Sequence, residues 1–386
     1  MNNKSLLQRR EYTLLNGSYY FYETPLHLVR GEGVWLWDAA GKKYLDCYNN
    51  VASVGHCHPR VVEALYKQAS LLNTNTRYLH ENVVIAGEAL AEKLPSDLDC
   101  VAFVCTGTEA NDLAAQLARL ATGRQGMIVS EASYHGNSWL VNQLSTDVVP
   151  AAERAPFVAT IEAPNTYRGS FRQGEHPDPG AAYGGLVDNA VSRLEQDGFG
   201  VAGIMIDSSF DSNGVLIPPA GYLSCVTEKV RQAGGLVIMD EVQAGYCRLG
   251  EDWWGHVPHG VEADMVSLGK PMGDGHPVAA LSISRRLLDR LDSRQAVHYF
   301  NTFGGNPVST IVAKTVIEVI DEEGLMENSR QIGAHLSAGL KEIGERYPQV
   351  GNIQGSGLFW GLDMVRDPET REPLGPDDLR QLTASL

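Results

Sequence analysis

Asp240 and Lys270 are the two residues whose types and positions point most directly to chemistry. Each follows a short apolar run, Leu236–Met239 before Asp240 and Met265–Leu268 before Gly269 and Lys270. Runs of this length bounded by Gly and Pro are typical of strands buried on both faces of a parallel sheet. Ligands bind at the carboxyl ends of such strands, so the pattern predicts a carboxylate and an amine in one crevice.

A carboxylate facing a lysine suits an aldehyde cofactor such as pyridoxal phosphate. The lysine forms a Schiff base with the aldehyde, and the acid keeps the pyridine nitrogen protonated. A surface ion pair between the same two residues is the alternative that these residue types leave open.

The segments that must position this pair alternate between strands and helices from about residue 100 to residue 284. We predict strands at 101–105, 127–130, 201–206, 236–239, 265–268 and 278–284, separated in part by helices at 106–121, 182–196 and 221–234. Such alternation predicts an α/β fold with a mostly parallel, doubly wound sheet. Residues 145–180, rich in Pro, Asp, Glu and Gly, are predicted to be irregular.

Two domains are expected from this organisation. Residues 48–305 would form a large cofactor-binding domain. Residues 1–47, which include a predicted β-hairpin, would join residues 306–386 in a smaller α+β domain.

Two junctions in the large domain offer ligand contacts. The strand at 101–105 runs into Thr106, Gly107 and Thr108 at the start of a helix, where backbone N–H groups and the helix dipole favour an anion. A plain N-cap role for Thr106 or Thr108 is the alternative. Tyr134 follows the strand at 127–130 and would either stack on a flat cofactor or simply pack.

Composition and charge exclude several kinds of partner. The 386-residue chain has a formal net charge of −16, which argues against nucleic acid or an anionic membrane surface as a partner. Its start lacks the apolar core of a signal peptide, and no later run is long enough to span a bilayer. Six cysteines without a CxxC pair predict reduced thiols in a cytoplasmic protein. His56 and His58 lack partners at ligand spacing, so no metal site is predicted.

Several motifs come together in one order along the chain. They are Gly107-Thr108, Tyr134-His135-Gly136, Asp240 with Gln243, Lys270, and the NTFGGNP segment at 301–307. In this order and spacing they resemble the class III aminotransferases, which are fold-type I pyridoxal phosphate enzymes. The resemblance covers nearly the whole chain.

The resemblance implies a role for each matching residue. Lys270 would form the Schiff base and move the proton, and Asp240 would pair with the pyridinium nitrogen. Thr302 would reach the cofactor phosphate of a second subunit, so the enzyme would be a homodimer. The residues implied at the cofactor besides Asp240 and Lys270 are Gly107 and Thr108 at the phosphate, Tyr134 stacked on the ring, Gln243 near the ring hydroxyl, His135, Asp207 and Thr302.

One branch of the family is closer still. The stretches at 44–59, 71–82, 163–169 and 269–279 resemble the ethanolamine-phosphate phospho-lyases, which eliminate phosphate instead of transferring an amino group. The substrate would then be a small phosphorylated amine. Arg77 would hold its phosphate, with Asn50 and Tyr20 as further candidates. A salt bridge on a helix surface is the alternative role for Arg77.

The chain departs from the transaminase pattern in two places. Ser212 stands where many relatives carry the Glu that holds a gating arginine, and its loss suits an enzyme with a single substrate. The chain also stops at Leu386, before the segment with which relatives complete the small domain. The small domain is therefore expected to be incomplete, and the arginine that binds substrate carboxylates in transaminases would lie outside it.

A phospho-lyase that converts a phosphorylated amino alcohol to an aldehyde, ammonia and phosphate is the function we expect. The alternatives are an ω-amino acid:keto acid aminotransferase of class III and an ammonia-lyase acting on a hydroxylated aminophosphonate. A non-catalytic relative that only binds the cofactor is a further alternative, against which the intact Lys270 argues.

Overall fold

The computed structural model describes residues 3–15, 20, 25–95, 97–291 and 299–385. The chain starts with helix α1 (Asn3–Thr13), followed by an antiparallel sheet of β1 (Leu28–Glu32), β2 (Trp35–Asp38) and β3 (Lys43–Leu45). The predicted hairpin is confirmed as β2 and β3. Strand β1 was missed, because its sequence LVRGE lacks the period-two alternation of a half-buried strand.

Within the described residues, the central sheet has seven strands, of which six run in one direction. The strands are β4 (Cys100–Val104), β5 (Gly126–Ser130), β6 (Val158–Ile161), β7 (Val201–Asp207), β8 (Leu236–Asp240), β9 (Met265–Leu268) and β10 (Ala279–Ile283). Their order is β4-β10-β9-β8-β7-β5-β6, and β10 is antiparallel to both of its neighbours. The predicted α/β fold is thus confirmed as a mixed sheet with one reversed strand.

Strand β6 corrects the prediction that residues 145–180 are irregular. It pairs in parallel with β5 at the edge of the sheet. Its four residues, VATI, follow a segment rich in Pro and charge, which concealed the strand from a reading of local composition. Helix α5 (Trp139–Leu144) ends directly before this region, and α6 (Pro179–Gly185) begins at its end.

Helices cover both faces of the central sheet. On one face, α4 (Gly107–Thr122) packs against side chains such as Met127, Val129 and Ile238. On the other face lie α7 (Val187–Gln196), α8 (Tyr222–Gln232) and α10 (Pro307–Glu322). They pack against the alternate side chains of the same strands, such as Ile128 and Val237. Because successive side chains of a strand point to opposite faces, each strand contributes to both layers of core.

The remaining elements lie along the N-terminal and C-terminal thirds of the chain. They are α2 (Pro59–Ala69), α3 (Glu81–Ala91), α9 (Arg285–Arg290), α11 (Leu325–Arg346), α12 (Pro376–Ser385), and the antiparallel strands β11 (Val350–Ser356), β12 (Phe359–Asp367) and β13 (Glu372–Pro373). Within the described ranges, no helix combines the length and the apolar character needed to cross a membrane. The division into a large and a small domain stays a prediction.

Candidate active site

The parallel strands end at a cavity of about 150 Å³. Asp207 at the end of β7 lies in register with Asp240 at the end of β8, and Asp240 lies in register with Ser267 of β9. The cavity brings together eight of the residues named from the sequence: Gly107, Thr108, Tyr134, His135, Asp207, Asp240, Gln243 and Lys270.

Asp240 is buried and held by three donors. Its Oδ2 accepts hydrogen bonds from Asn111 Nδ2 at 2.8 Å and from His135 Nδ1 at 2.8 Å, and its Oδ1 accepts one from Val242 N at 3.1 Å. Burial alone would raise the pKa of this carboxyl, but the bonds from His135, Val242 and Asn111 together hold that pKa below its ordinary value. Asp240 is therefore an ionised carboxylate that faces the cavity.

Asn111 and His135 are in turn fixed by the backbone around them. Asn111 Nδ2 also donates to the carbonyl of His135 at 2.9 Å. The backbone N–H groups of His135 and Gly136 donate to Ser145 Oγ at 3.0 and 3.1 Å. Because a carboxylate only accepts, the bond to Asp240 assigns the ring proton of His135 to Nδ1.

Lys270 begins the turn that follows β9 and has a φ of 34°. A non-glycine residue in this left-handed region stores backbone strain, which is concentrated at functional sites. Its Nζ donates to Gln243 Oε1, which also accepts from Asn50 Nδ2 at 3.0 Å. The amine is thus held in the cavity by Gln243, and Asn50 reaches the site through that same oxygen.

Arg248 holds the backbone of Gln243 and the backbone of Asn50 through two hydrogen bonds. Its Nε donates to the carbonyl of Gln243 at 2.9 Å, and its Nη2 donates to the carbonyl of Asn50 at 2.7 Å. Burial lowers the pKa of this guanidinium to about 10. The guanidinium is engaged with backbone carbonyls and is not among the residues that line the cavity.

The start of α4 forms a cradle at the opposite wall. Thr106 caps the helix by accepting from Glu109 N at 3.2 Å, and Glu109 Oε2 accepts from Cys105 N at 2.6 Å. A Cβ atom on Gly107 would lie 2.9 Å from Val242 Cγ2. Gly136, at a φ of 140°, approaches Thr108 so closely that its Cβ would lie 2.6 Å from Thr108 Oγ1. Only glycine fits at these two close approaches.

These features fit pyridoxal phosphate, the group that the sequence resemblance implies. The N-terminus of the sixteen-residue helix α4 supplies free N–H groups and hydroxyls for a phosphate. An ionised carboxylate suits a protonated ring nitrogen, and a lysine amine suits an aldehyde. Tyr134, with 46% of its surface exposed, and Val242 line the same cavity and offer surfaces for a ring.

Asp207 and Asp211 form a pair of carboxyl groups on the cavity wall. Asp207 Oδ1 accepts from Ser209 N and Oγ, both at 2.9 Å, and its Oδ2 accepts from Asp211 N at 2.8 Å. Burial and the neighbouring Asp211 carboxylate raise the pKa of Asp207 well above its ordinary value.

Three residues named from the sequence lie away from this cavity within the chain. Arg77 is exposed in a turn, and its guanidinium lies 4.2 Å from the ring centroid of Phe300. Among the described residues Arg77 forms no ion pair. Tyr20 is 39% exposed, with the Arg10 guanidinium 5.4 Å from its ring centroid, and Thr302 is exposed.

Asn111, Asp211 and Val242 line the cavity but were given no role from the sequence. Each lies two or four residues after a residue that the sequence indicated. Asn111 lies four residues after Gly107, on the same helix face, and Val242 lies two residues after Asp240. Asp211 lies four residues after Asp207, inside a turn whose path the sequence does not define.

The remaining polar clusters near the site are structural. Glu241 and His256 are a fully buried pair, with Glu241 Oε1 and His256 Nδ1 2.7 Å apart. His56 is bonded to Asp46 at 2.7 Å, and His58 to Glu323 at 3.0 Å. In the part of the chain that the structure describes, no group of three or more His, Cys, Asp or Glu residues could hold a metal ion.

Asp274 fastens the turn that carries Lys270. It follows the short 3-10 helix Lys270–Gly273, and its Oδ1 accepts from Val54 N at 3.2 Å. Ser53 Oγ donates to the carbonyl of Pro271 at 3.0 Å, which fixes the same contact from the other side. Burial raises the pKa of Asp274 to about 7.

Asp274→Asn is expected to stabilise the protein more at pH 8 than at pH 5. Because the folded state holds a proton that the unfolded chain releases near pH 3.8, wild-type stability falls as the pH rises from there to about 7. The asparagine keeps an oxygen for Val54 N but does not titrate. After allowance for solvent screening, the variant should gain about 1 kcal/mol relative to wild type between the two pH values.

Thermal denaturation of both proteins at pH 5 and pH 8 measures this difference. Asp289→Asn, at an exposed position of α9, is the matched control and should give the same offset from wild type at both values. An equal offset for Asp274→Asn at pH 5 and pH 8 would contradict the prediction.

Comparison with known proteins identifies the family. The family profile described as aminotransferase class-III matches residues 21–382. The alanine–glyoxylate aminotransferase 2-like protein of Drosophila melanogaster is 39% identical, over 92% of this chain and 72% of that protein. The ethanolamine-phosphate phospho-lyase homolog 1 of Caenorhabditis elegans is 36% identical, over 96% of this chain and 82% of that protein.

A solved structure is similar to this chain in both fold and sequence. A phospholyase from Arthrobacter in complex with phosphoethanolamine superimposes with a TM-score of 0.91 at 39% identity, over 98% of this chain and 90% of that chain. The chain belongs to the class III aminotransferase family of fold-type I enzymes, and its cofactor is pyridoxal phosphate.

Proposed function

We propose that this enzyme is a phospho-lyase that eliminates phosphate from a small phosphorylated amino alcohol such as ethanolamine phosphate. One water molecule is consumed, and the products are an aldehyde, ammonia and inorganic phosphate. The similarity to the phospholyase in complex with phosphoethanolamine, at 39% identity, carries this proposal. Ser212 adds support, since it stands where transaminases that alternate between two substrates carry a glutamate.

The cavity residues have distinct tasks in such a reaction. Bound pyridoxal phosphate supplies an acceptor for the electron pair that remains when the amine carbon loses its proton. Lys270 Nζ, held by Gln243 Oε1, is the group that takes that proton. Asp240, kept ionised by three hydrogen bonds, holds the ring nitrogen protonated, and Gly107 and Thr108 bind the cofactor phosphate.

The leaving phosphate needs a cation, and we assign this role to Arg77. Its side chain stacks on Phe300, so the turn around Arg77 packs against the segment that contains Thr302. We propose that this segment enters the cavity of a partner subunit, which would bring Arg77 there together with Thr302. Asn50, bonded to Gln243, would add an amide contact to substrate, and Tyr20 stays a candidate.

Exposed apolar side chains on these segments support a homodimer. Leu71 is 80% exposed, Leu79 is 101% exposed and Phe303 is 70% exposed. Large exposed apolar groups grouped on one region are typical of surfaces that bind another chain. A second copy that covers them would also close the cavity, which Arg77 of the same chain does not reach.

We infer a cytoplasmic location. All six cysteines are free, and Cys47 and Cys57 are exposed. Exposed free thiols suit a reducing compartment.

Phosphate release without an amino acceptor tests the proposed reaction. The holoenzyme is incubated with ethanolamine phosphate and no keto acid, and inorganic phosphate and aldehyde are measured. We expect both products in equal amounts. Amino transfer from this or another amine to a keto acid, with no phosphate released, would favour the aminotransferase, which the similarity to an alanine–glyoxylate aminotransferase 2-like protein supports as the second candidate.

Arg77→Ala is expected to lower kcat/KM for ethanolamine phosphate by roughly ten- to hundred-fold, the loss of a charge-assisted contact. Cofactor affinity should be unchanged.

Mixed dimers of Arg77→Ala and Lys270→Ala subunits show whether Arg77 acts in the cavity of its own chain or in the cavity of its partner. If Arg77 acts in the partner's cavity, half of the sites in mixed dimers are intact, and a one-to-one mixture recovers about a quarter of the wild-type rate.

If Arg77 acts within its own chain, every mixed dimer stays at the level of the single variants. A wild-type kcat/KM in Arg77→Ala would place the phosphate elsewhere. Arg119→Ala, on α4 and stacked on Phe157, removes a comparable arginine–aromatic contact away from this segment and is the matched control.

A further inference from the structure

The charged side chains that line the cavity are mostly acidic. Asp207, Asp211 and Asp240 are all carboxyl groups on its wall, and Lys270 is the one lysine among the described lining residues, which include no arginine. Arg248, close by, already donates to two backbone carbonyls. A carboxylate that enters this cavity on the side of Asp207 and Asp211 therefore meets like charges, whereas the start of α4 offers N–H groups to an anion.

The turn after β7 fixes Asp211 in this position. Phe210, with a φ of 47°, reverses the chain so that Asp211 N reaches Asp207 Oδ2. Ser212 N donates to Asp211 Oδ1 at 2.7 Å, and Ser212 Oγ donates to the same oxygen at 3.3 Å. The carboxylate of Asp211 is thus anchored by the serine that replaces the transaminase glutamate.

The two carboxyl groups also interact electrostatically. Burial and the neighbouring Asp211 carboxylate raise the pKa of Asp207 well above its ordinary value.

We propose that Asp211, held against Asp207, is a specificity-determining residue that excludes substrates with a carboxylate on the carbon that bears the amine. A substrate amine must approach Lys270, which lines the same cavity as Asp211, so a carboxylate on the same carbon would approach the Asp211 carboxylate. Repulsion between like charges is strong in such a partly desolvated space. A plain primary amine carries no such group and is admitted.

This inference rests on the proposed function, since it explains why an amino phosphate ester without a carboxylate would be the substrate. Two ligand pairs that differ by one carboxylate test it. The first pair is ethanolamine phosphate and O-phosphoserine, and the second is ethylamine and alanine. Titration of the holoenzyme with each ligand, followed by the absorbance of the bound cofactor, gives a dissociation constant for each.

We expect wild type to bind the carboxylated member of each pair roughly ten- to hundred-fold more weakly than its partner. Asp211→Asn should reduce this ratio by about ten-fold in both pairs. The double variant Asp207→Asn with Asp211→Asn should reduce it at least as much. Asp289→Asn, at an exposed position of α9 outside the cavity, should leave the ratio unchanged.

Unchanged ratios in Asp211→Asn and in the double variant would overturn the proposal. Asp211→Ser, which keeps an oxygen for the Ser212 N–H, replaces the asparagine variant if the latter fails to fold. The second ligand pair contains no phosphate and separates this inference from the proposed reaction. Relaxed ratios for ethylamine and alanine support a role for Asp211 even if no phosphate is released. Phosphate release with unchanged ratios supports the lyase and refutes the role of Asp211.

Discussion

Lys270→Ala should abolish turnover and remove the absorbance band of lysine-linked cofactor. In the proposed mechanism the lysine is the amine for the cofactor aldehyde and the base for the substrate proton, so one substitution would remove two functions. A general base alone contributes about 10²–10⁴-fold to rate, so we expect a loss of roughly a thousand-fold or more. Phosphate release and the visible spectrum of the purified variant measure both effects.

Two controls accompany this variant. Cofactor should still bind non-covalently, because the cradle at the start of α4 does not involve Lys270. Added methylamine should restore part of the rate by supplying an external amine. A variant that keeps a tenth of the wild-type rate would show that Lys270 is not the base.

Asp240→Asn should lower kcat by roughly a hundred-fold or more, the effect of losing a fixed charge opposite a developing one. The amide has nearly the same shape but cannot keep the ring nitrogen protonated. The change also places an amide beside Asn111 and His135, which both donate to the wild-type carboxylate. Steady-state kinetics and the pH dependence of the cofactor spectrum report the loss.

Asn111→Ala is the graded control for this prediction. It removes one of the three hydrogen bonds to Asp240 and keeps the charge, so its loss in kcat should be about ten-fold. Equal losses in Asp240→Asn and Asn111→Ala would mean that the position of the carboxylate matters more than its charge. A wild-type kcat in Asp240→Asn would remove Asp240 from the site.

The sequence predicted the parts of this site that depend on local pattern. Asp240 and Lys270 follow apolar runs, and the ends of buried parallel strands must meet at one edge of a sheet. The direction of β10 could not be read in this way, because a strand buried on both faces has the same composition in either direction. Gly107 was predicted as a phosphate contact, but its close approach to Val242 depends on packing between distant segments.

Arg77 and Asp211 are two residues whose positions in the structure could not be predicted from local sequence. The residues around Arg77 resemble a functional stretch, yet the side chain lies on the surface of a single chain, and we propose that assembly with a second subunit brings it to a cavity. Asp211 reaches the cavity because Phe210 adopts a left-handed conformation that its residue type does not predict.

The reversed strand β10 has a consequence for how this enzyme moves. Lys270 lies in the connection of a β-hairpin, since β9 and β10 pair along their length from Leu268 and Ala280 to Met265 and Ile283. Both strands are buried in the middle of the sheet, so the turn that carries Lys270 is anchored at both ends in the most protected part of the fold. Amide exchange in β9 and β10 should therefore follow global unfolding. We expect adaptation to a new substrate in the turn after β7 and in the surface segments, around a reactive amine whose turn is held by two core strands.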